Sequence, residues 1–213
     1  MRQRSLQTLY SYWNEIRKGR LAPHRLEIEP SRIAAILSET FMLERIGGGI
    51  YHFRLAGTRL CDLFGVELRG KNFLDDWSDA DRRTLEWVLT TICEQGAGAT
   101  LTIEGVSDRR NRVEIEAMLL PLLHSNNKIT RVIGAISAAS APYRLDNEPV
   151  RARHLRRHQL LWPDGRPRSV IERLGSQAPN PTPSSAKLRV VTDERRRFRV
   201  VDGGRAGGKF DKS

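Results

Sequence analysis

Acid–base chemistry needs two carboxyl groups held close together, and the sequence crowds four aspartates, Asp75, Asp76, Asp79 and Asp81, into one short stretch. The first turn of a helix attracts acids electrostatically, and Ser78 stands where an N-cap would, so the cluster reads as the start of a helix and not as a reacting pair. Metal binding needs imidazoles or thiolates at set spacings. His24, His52, His124, His154 and His158 are scattered over expected loop, strand and tail, and no two share ligand spacing within one element. Cys61 and Cys93 are too far apart for a C-x-x-C site or a disulfide framework, which predicts free thiols and a reducing, cytoplasmic setting. Gly47-Gly48-Gly49 would cradle a phosphate if it opened a helix, but it joins two apolar runs and reads as a hairpin turn. No G-x-S-x-G, Walker or H-E-x-x-H pattern occurs. The expectation is a protein that is not an enzyme and holds no metal and no cofactor.

Charge is unevenly spread over the 213 residues, whose formal net charge is +11. Residues 1–150 hold 20 Lys and Arg against 19 Asp and Glu, while residues 151–213 hold 16 against 6. A basic tail attracts polyanions, so nucleic acid, anionic lipid and acidic protein surfaces are all admissible partners, and a merely solvated tail is the plain alternative. No apolar run approaches the ~18 residues of a membrane span.

The elements that would position these groups follow from periodicity. Leu6, Leu9, Tyr10, Trp13 and Ile16 form one stripe of a helix over 5–18, and Pro30 opens a short helix through Ile33, Ile36 and Leu37. From Phe41 the period becomes two, predicting strands at 41–46 and 50–55 around the glycine turn, with Tyr51, Phe53 and Leu55 on one side. Thr58 is read as the N-cap of a short helix ending at Gly65, and Ser78 caps the longest helix, with Leu85, Val88, Leu89 and Ile92 buried. Gly57 and Gly65 are assigned positive backbone angles. Strands are predicted at 100–104, 112–122 and 130–138. Beyond Pro142 prolines and arginines leave little for a core, so 150–213 is read as tail, with 188–191 and 198–201 as a marginal hairpin.

The order of helices and strands, with Phe41-Met42-Leu43-Glu44-Arg45, Phe53-Arg54-Leu55-Ala56-Gly57-Thr58, Leu63-Phe64-Gly65-Val66-Glu67-Leu68-Arg69-Gly70 and Trp77, resembles the PAS fold, and more narrowly a stand-alone PAS subfamily frequent in alphaproteobacteria. The resemblance covers roughly residues 5–140. It implies an α+β fold: a PAS-like five-stranded antiparallel sheet with helices on one face, an N-terminal helix and a disordered basic C-terminal tail. The domain bounds are 1–29 for the N-terminal helix and linker, 30–140 for the PAS-like domain and 141–213 for the tail. Flavin-binding light sensors of this group carry Asn-Cys-Arg-Phe-Leu-Gln where this chain has Gly70-Lys71-Asn72-Phe73-Leu74-Asp75, and haem-binding members use a histidine on the long helix, where residues 79–95 have none.

The resemblance implies a sensory or regulatory module acting through a small apolar ligand or a protein partner. Phe53, Leu55, Leu63, Phe64, Leu85, Leu89, Leu101, Ile115 and Ile136 are the candidate pocket residues by their inward pattern, and plain core is the competing reading of most. Leu6, Leu9, Tyr10, Trp13 and Ile16 are a candidate dimer interface, unless their helix covers the domain's own sheet. Trp87 lies off the buried stripe of its helix and is either packed on the 70–77 loop or an anchor for a partner. The alternative function places nucleic-acid binding in the tail, through Arg151 to Arg157, Arg166, Arg168 and Arg195 to Arg199, with Trp162 and Phe198 stacking on bases.

Overall fold

The computed structural model describes residues 3–124, 126–138 and 148–163. All lie within residues 1–177, one of two units into which the chain divides; the other, 178–213, is outside the described residues. The elements run α1 (Arg4–Arg17), a 3-10 segment (Pro30–Glu39), β1 (Thr40–Gly47), β2 (Ile50–Ala56), α2 (Thr58–Phe64), α3 (Asp79–Gln95), β3 (Gly98–Ser107), β4 (Arg112–Leu123), β5 (Ile129–Ala138) and β6 (Val150–Leu161). The strands form one antiparallel sheet in the order β2-β1-β5-β4-β3-β6. The sheet therefore has six strands and not five. The sixth lies in the stretch read from sequence as tail.

Period-two alternation sends each strand's side chains to opposite faces, and both faces are covered. On one face Phe41, Leu43, Phe53, Leu101, Ile115 and Ile136 pack with Leu60 and Phe64 of α2 and Leu85, Val88, Leu89 and Ile92 of α3. On the other, Met118, Leu120, Leu122, Ile133 and Ala135 pack with Leu6, Leu9, Tyr12 and Trp13 of α1 and with Ile33 and Ile36. Trp13 shows why α1 stays down: its ring is fully buried, and its Nε1 donates to the carbonyl of Pro121 at 2.8 Å, leaving no polar atom unpaired. Tyr12, missed in the sequence stripe, accepts from the Glu29 amide at 2.7 Å.

Helix ends follow local chemistry. Ser78 Oγ accepts from the Asp81 amide at 3.2 Å, and Gly96 closes α3 at φ 72°. At α2 the N-cap is Gly57, not Thr58, and its φ is −68°, so a positive angle is not its reason. A Cβ there would run into the backbone carbonyls of Leu37 and Ser38, so glycine is required by close approach. The segment from Pro30 is a 3-10 helix broken at Ile33, where φ is −118° and ψ 20°.

Leu55, expected inward with Tyr51 and Phe53, is 46% exposed. The pairing explains it: Leu43 faces Phe53 and Met42 faces Leu55, so Arg54 is an extra residue that shifts the alternation.

Gly134 of β5 sits opposite Phe41, and a Cβ there would overlap the Phe41 ring and come within 2.5 Å of the Met118 carbonyl oxygen. Gly134→Ala should cost about 1–3 kcal/mol, read as a lower melting midpoint. An unchanged midpoint would mean β1 and β5 do not approach so closely.

Cys93 is buried, and burial pushes its thiol up to about 11, while Cys61 is half-buried. At pH 8 one thiol should react with a disulfide reagent in the native protein and two after unfolding; two fast thiols would contradict the packing of Cys93. The folded site keeps a proton the unfolded chain releases from an ordinary value of 9.0, so stability should fall as pH rises from 9 toward 11.

Candidate ligand cleft between the sheet edges

The two edge strands of the sheet are β2 and β6, and each is covered differently. Residues 70–73 pair with the outer edge of β2: the Phe53 amide donates to the Lys71 carbonyl at 2.9 Å, the Gly70 amide to Phe53 at 2.8 Å and the Phe73 amide to Tyr51 at 2.8 Å. Asn72 Oδ1 completes the run by accepting from the Tyr51 amide at 2.9 Å. The loop thus supplies the partners that an unpaired edge lacks.

On β6 the cover comes from side chains. The Leu155 amide donates to Asp81 Oδ2 of α3 at 3.3 Å, and the His158 ring meets Trp87 edge-on at 5.9 Å. Trp87 is 53% exposed, and the ring it meets is that of His158 in β6. The strongest fastening is Arg153. Its guanidinium lies 5.1 Å from the ring centres of both Phe64 and Trp77, and it donates to the Asp75 carbonyl at 3.0 Å and to Asp76 Oδ2 at 3.2 Å. Only 11% of that side chain is exposed. Burial presses the guanidinium below its usual value, while Asp76 and Asp75 pull it back, and it keeps its charge at any physiological pH.

Between these two edges lies a cleft of about 210 Å³. Phe53, Phe64, Val66, Leu68 and Val150 give it apolar walls, and Lys71, Asn72, Asp76, Arg151 and Arg153 give it a polar rim. Phe53 comes from one edge strand and Val150, Arg151 and Arg153 from the opposite one, so residues of both edge strands line one cleft, with the 70–73 loop lying along the outer edge of β2. Gly65, at φ 62°, sits where a Cβ would strike Pro149, which lets α2 end directly beneath the entry to β6.

The sequence candidates divide accordingly. Phe53 and Phe64 line the cleft. Leu85, Leu89, Leu101, Ile115 and Ile136 are core on the same sheet face, Leu63 is half-buried against it, and Leu55 faces away. Deeper in, Phe41, Phe53 and Phe73 stand 5.7–6.1 Å apart and Trp77 lies 6.3 Å from Phe73, so aromatic rings occupy the space between sheet and helices. Leu6, Leu9 and Trp13 are fully buried on their own sheet and Tyr10 and Ile16 are packed beside them, which removes that stripe as a dimer interface in this conformation.

Arg151, Arg153, Arg156 and Arg157 belong to a strand and not to a tail. Arg153 is committed to Asp76, Arg151 pairs with Asp108 at 3.3 Å, and Arg156 with Glu104, whose carboxyl it holds below the usual range. Trp162 directly follows β6. Arg166, Arg168, Arg195 to Arg199, Phe198 and the paired segments 188–191 and 198–201 lie outside the described residues. Missed from sequence were Val66, Leu68, Lys71, Asn72 and Val150, because each looks like loop or strand-end filler until the sheet curls. Among the described residues no cluster of His, Cys, Asp or Glu could hold a metal, and no helix is long and apolar enough to cross a membrane.

A family model described as PAS domain matches residues 1–137. A comparison with curated proteins returns no match. Among solved structures, the light state of the blue-light photoreceptor Aureochrome1 LOV is similar at 12% identity, covering 56% of this chain and 94% of that one, with a TM-score of 0.40. The PAS domain of a protein from Colwellia psychrerythraea gives 14% identity over 51% of this chain and 93% of that one, at 0.39. An RNA-binding Light-Oxygen-Voltage receptor gives 15% over 59% of this chain and 38% of that one, at 0.40. With the family match spanning well over half of its length, this chain belongs to the PAS domain family.

Proposed function

We propose that the chain is a non-catalytic sensory or regulatory module that takes a small molecule into the cleft and reports its presence through the hold on β6. The observation that carries this reading is the double role of Arg153, which lines the cleft and also fastens β6 between Phe64 and Trp77. Val150, Arg151 and Arg153 form one wall, so the cleft exists only while β6 is docked. Whatever binds there binds the docked state alone and stabilises it by mass action. The readout is then how firmly β6 is docked.

Native mass spectrometry and hydrogen exchange of the full chain test this together. Arg153→Met keeps most of the side-chain volume but removes the charge. It should speed exchange of the β6 amides by roughly tenfold or more while leaving β4 and β5 unchanged, and should abolish any small molecule retained by the wild type. A variant with loosened β6 that keeps the same bound mass would place the site elsewhere. A bare wild-type mass, with β6 exchange indifferent to a small-molecule extract of the producing cells, would remove the sensing role.

A further inference from the structure

We infer that the cleft selects a small monoanion, a carboxylate on an apolar aliphatic or aromatic frame of roughly seven to nine heavy atoms. The inference rests on the sensory reading above and names its ligand class.

Size sets the first limit. About 210 Å³ holds roughly seven water-sized groups at ~30 Å³ each, and bonded atoms pack somewhat closer. That is below the ~300 Å³ at which pockets for drug-sized ligands begin, so a flavin, a haem or a nucleotide is too large.

Polarity sets the second. The floor is formed by Phe53, Phe64, Leu68 and Val150, each showing only a small part of its surface, which leaves a limited apolar area for a short hydrocarbon body beneath a mainly polar lining. The rim carries three cations, Lys71, Arg151 and Arg153, against the single carboxylate of Asp76. Asp76 already holds Arg153 at 3.2 Å, which leaves Lys71 from the loop and Arg151 from β6 with charge that an incoming carboxylate offsets. Among the described residues Arg151 pairs with Asp108, at 3.3 Å on the exposed surface, where an ion pair is worth little and is readily exchanged. A phosphate ester would bring close to two charges past Asp76 and leave less room for an apolar body. A cation would face three like charges. The carboxylate also bridges β6 to the 70–73 loop, so its binding adds attraction across the two edges.

The test uses hexanoate, hexan-1-ol and hexylammonium on the full chain, with hydrogen exchange of the β6 amides as readout and the β4 amides as internal reference. Hexanoate should slow β6 exchange, by about 100-fold once its concentration reaches a hundred times its Kd. Hexanol should need at least tenfold more to match it, and hexylammonium should have no effect. In the Lys71→Gln, Arg151→Gln double variant the acid and the alcohol should act alike. Equal slowing by acid and alcohol in the wild type overturns the anion preference and leaves a sensor for neutral ligands. No slowing by any of the three, with slowing by a cellular small-molecule extract, overturns the ligand class and keeps the sensory reading. No slowing by extract or probes sinks both.

Discussion

A guanidinium stacked between two aromatic rings, Arg153 between Phe64 and Trp77, joins the last strand of the sheet to the helical layer. Taking an arginine out of water is expensive unless every donor finds a partner and the charge finds a counterion. Here the faces of the guanidinium meet ring quadrupoles and its edge meets the Asp75 carbonyl and Asp76. The arrangement holds only if α2 ends where it does, if the 70–77 loop returns along β2, and if β6 adds to β3. Removing any of the three strands a buried charge. The fastening is therefore a sensor of the geometry around it, because its stability depends on all of its neighbours at once.

The sheet can curl far enough to bring β2 and β6 to one cleft because its two faces are loaded unequally. The face beneath α2 and α3 carries large rings at Phe41, Phe53, Phe73 and Trp77, whereas the opposite face is covered by α1 mainly over β4 and β5. Antiparallel strands twist, and additional residues bend them further. The pairings of the two edge strands contain four irregularities, at Arg54 in β2, at Ile46 of β1 beside the hairpin turn, and at Arg151 and Arg156 in β6. A fifth lies in the central β4–β5 pair, at Thr130, so bulges are denser at the edge pairs without being confined to them.

Those same irregularities decided what the sequence could reveal. Residues 113–117 of β4 alternate between buried and open positions and the strand is where the pattern places it, although from Met118 on both faces are buried because α1 covers the second one. In β2 a single extra residue at Arg54 carries Leu55 to the wrong face, which no period-two reading detects. In β6 two extra residues leave the inward apolar positions at Val150, Leu155 and Leu160, five apart, with Arg153 and His158 also turned inward between them, and such a run of arginines and histidines resembles a solvated tail. The spacing was the available signal, but it gains meaning only once β3 offers an edge. Phe53 and Phe64 were legible as inward residues of the cleft. Lys71, Arg151 and Arg153 were not, because a cation's role depends on the curl that brings two distant edges together.

A strand that is rich in arginine and still docked is poised by construction. Its inward apolar positions are few, Val150 buried and Leu155 and Leu160 half-buried, so hydrophobic burial contributes less per residue than in β4. The remainder comes from ladder hydrogen bonds to β3, Arg153 and the Leu155 amide on Asp81. Salt screens the exposed ion pairs of Arg151 and Arg156 but hardly touches the buried stack, so ionic strength alone does not undo the docking. On the proposed reading, what would change the balance is a group that enters the same small volume and meets the same cations. The strand's low apolar content is thereby the property that, on the proposed reading, would make occupancy of a 210 Å³ cleft energetically consequential.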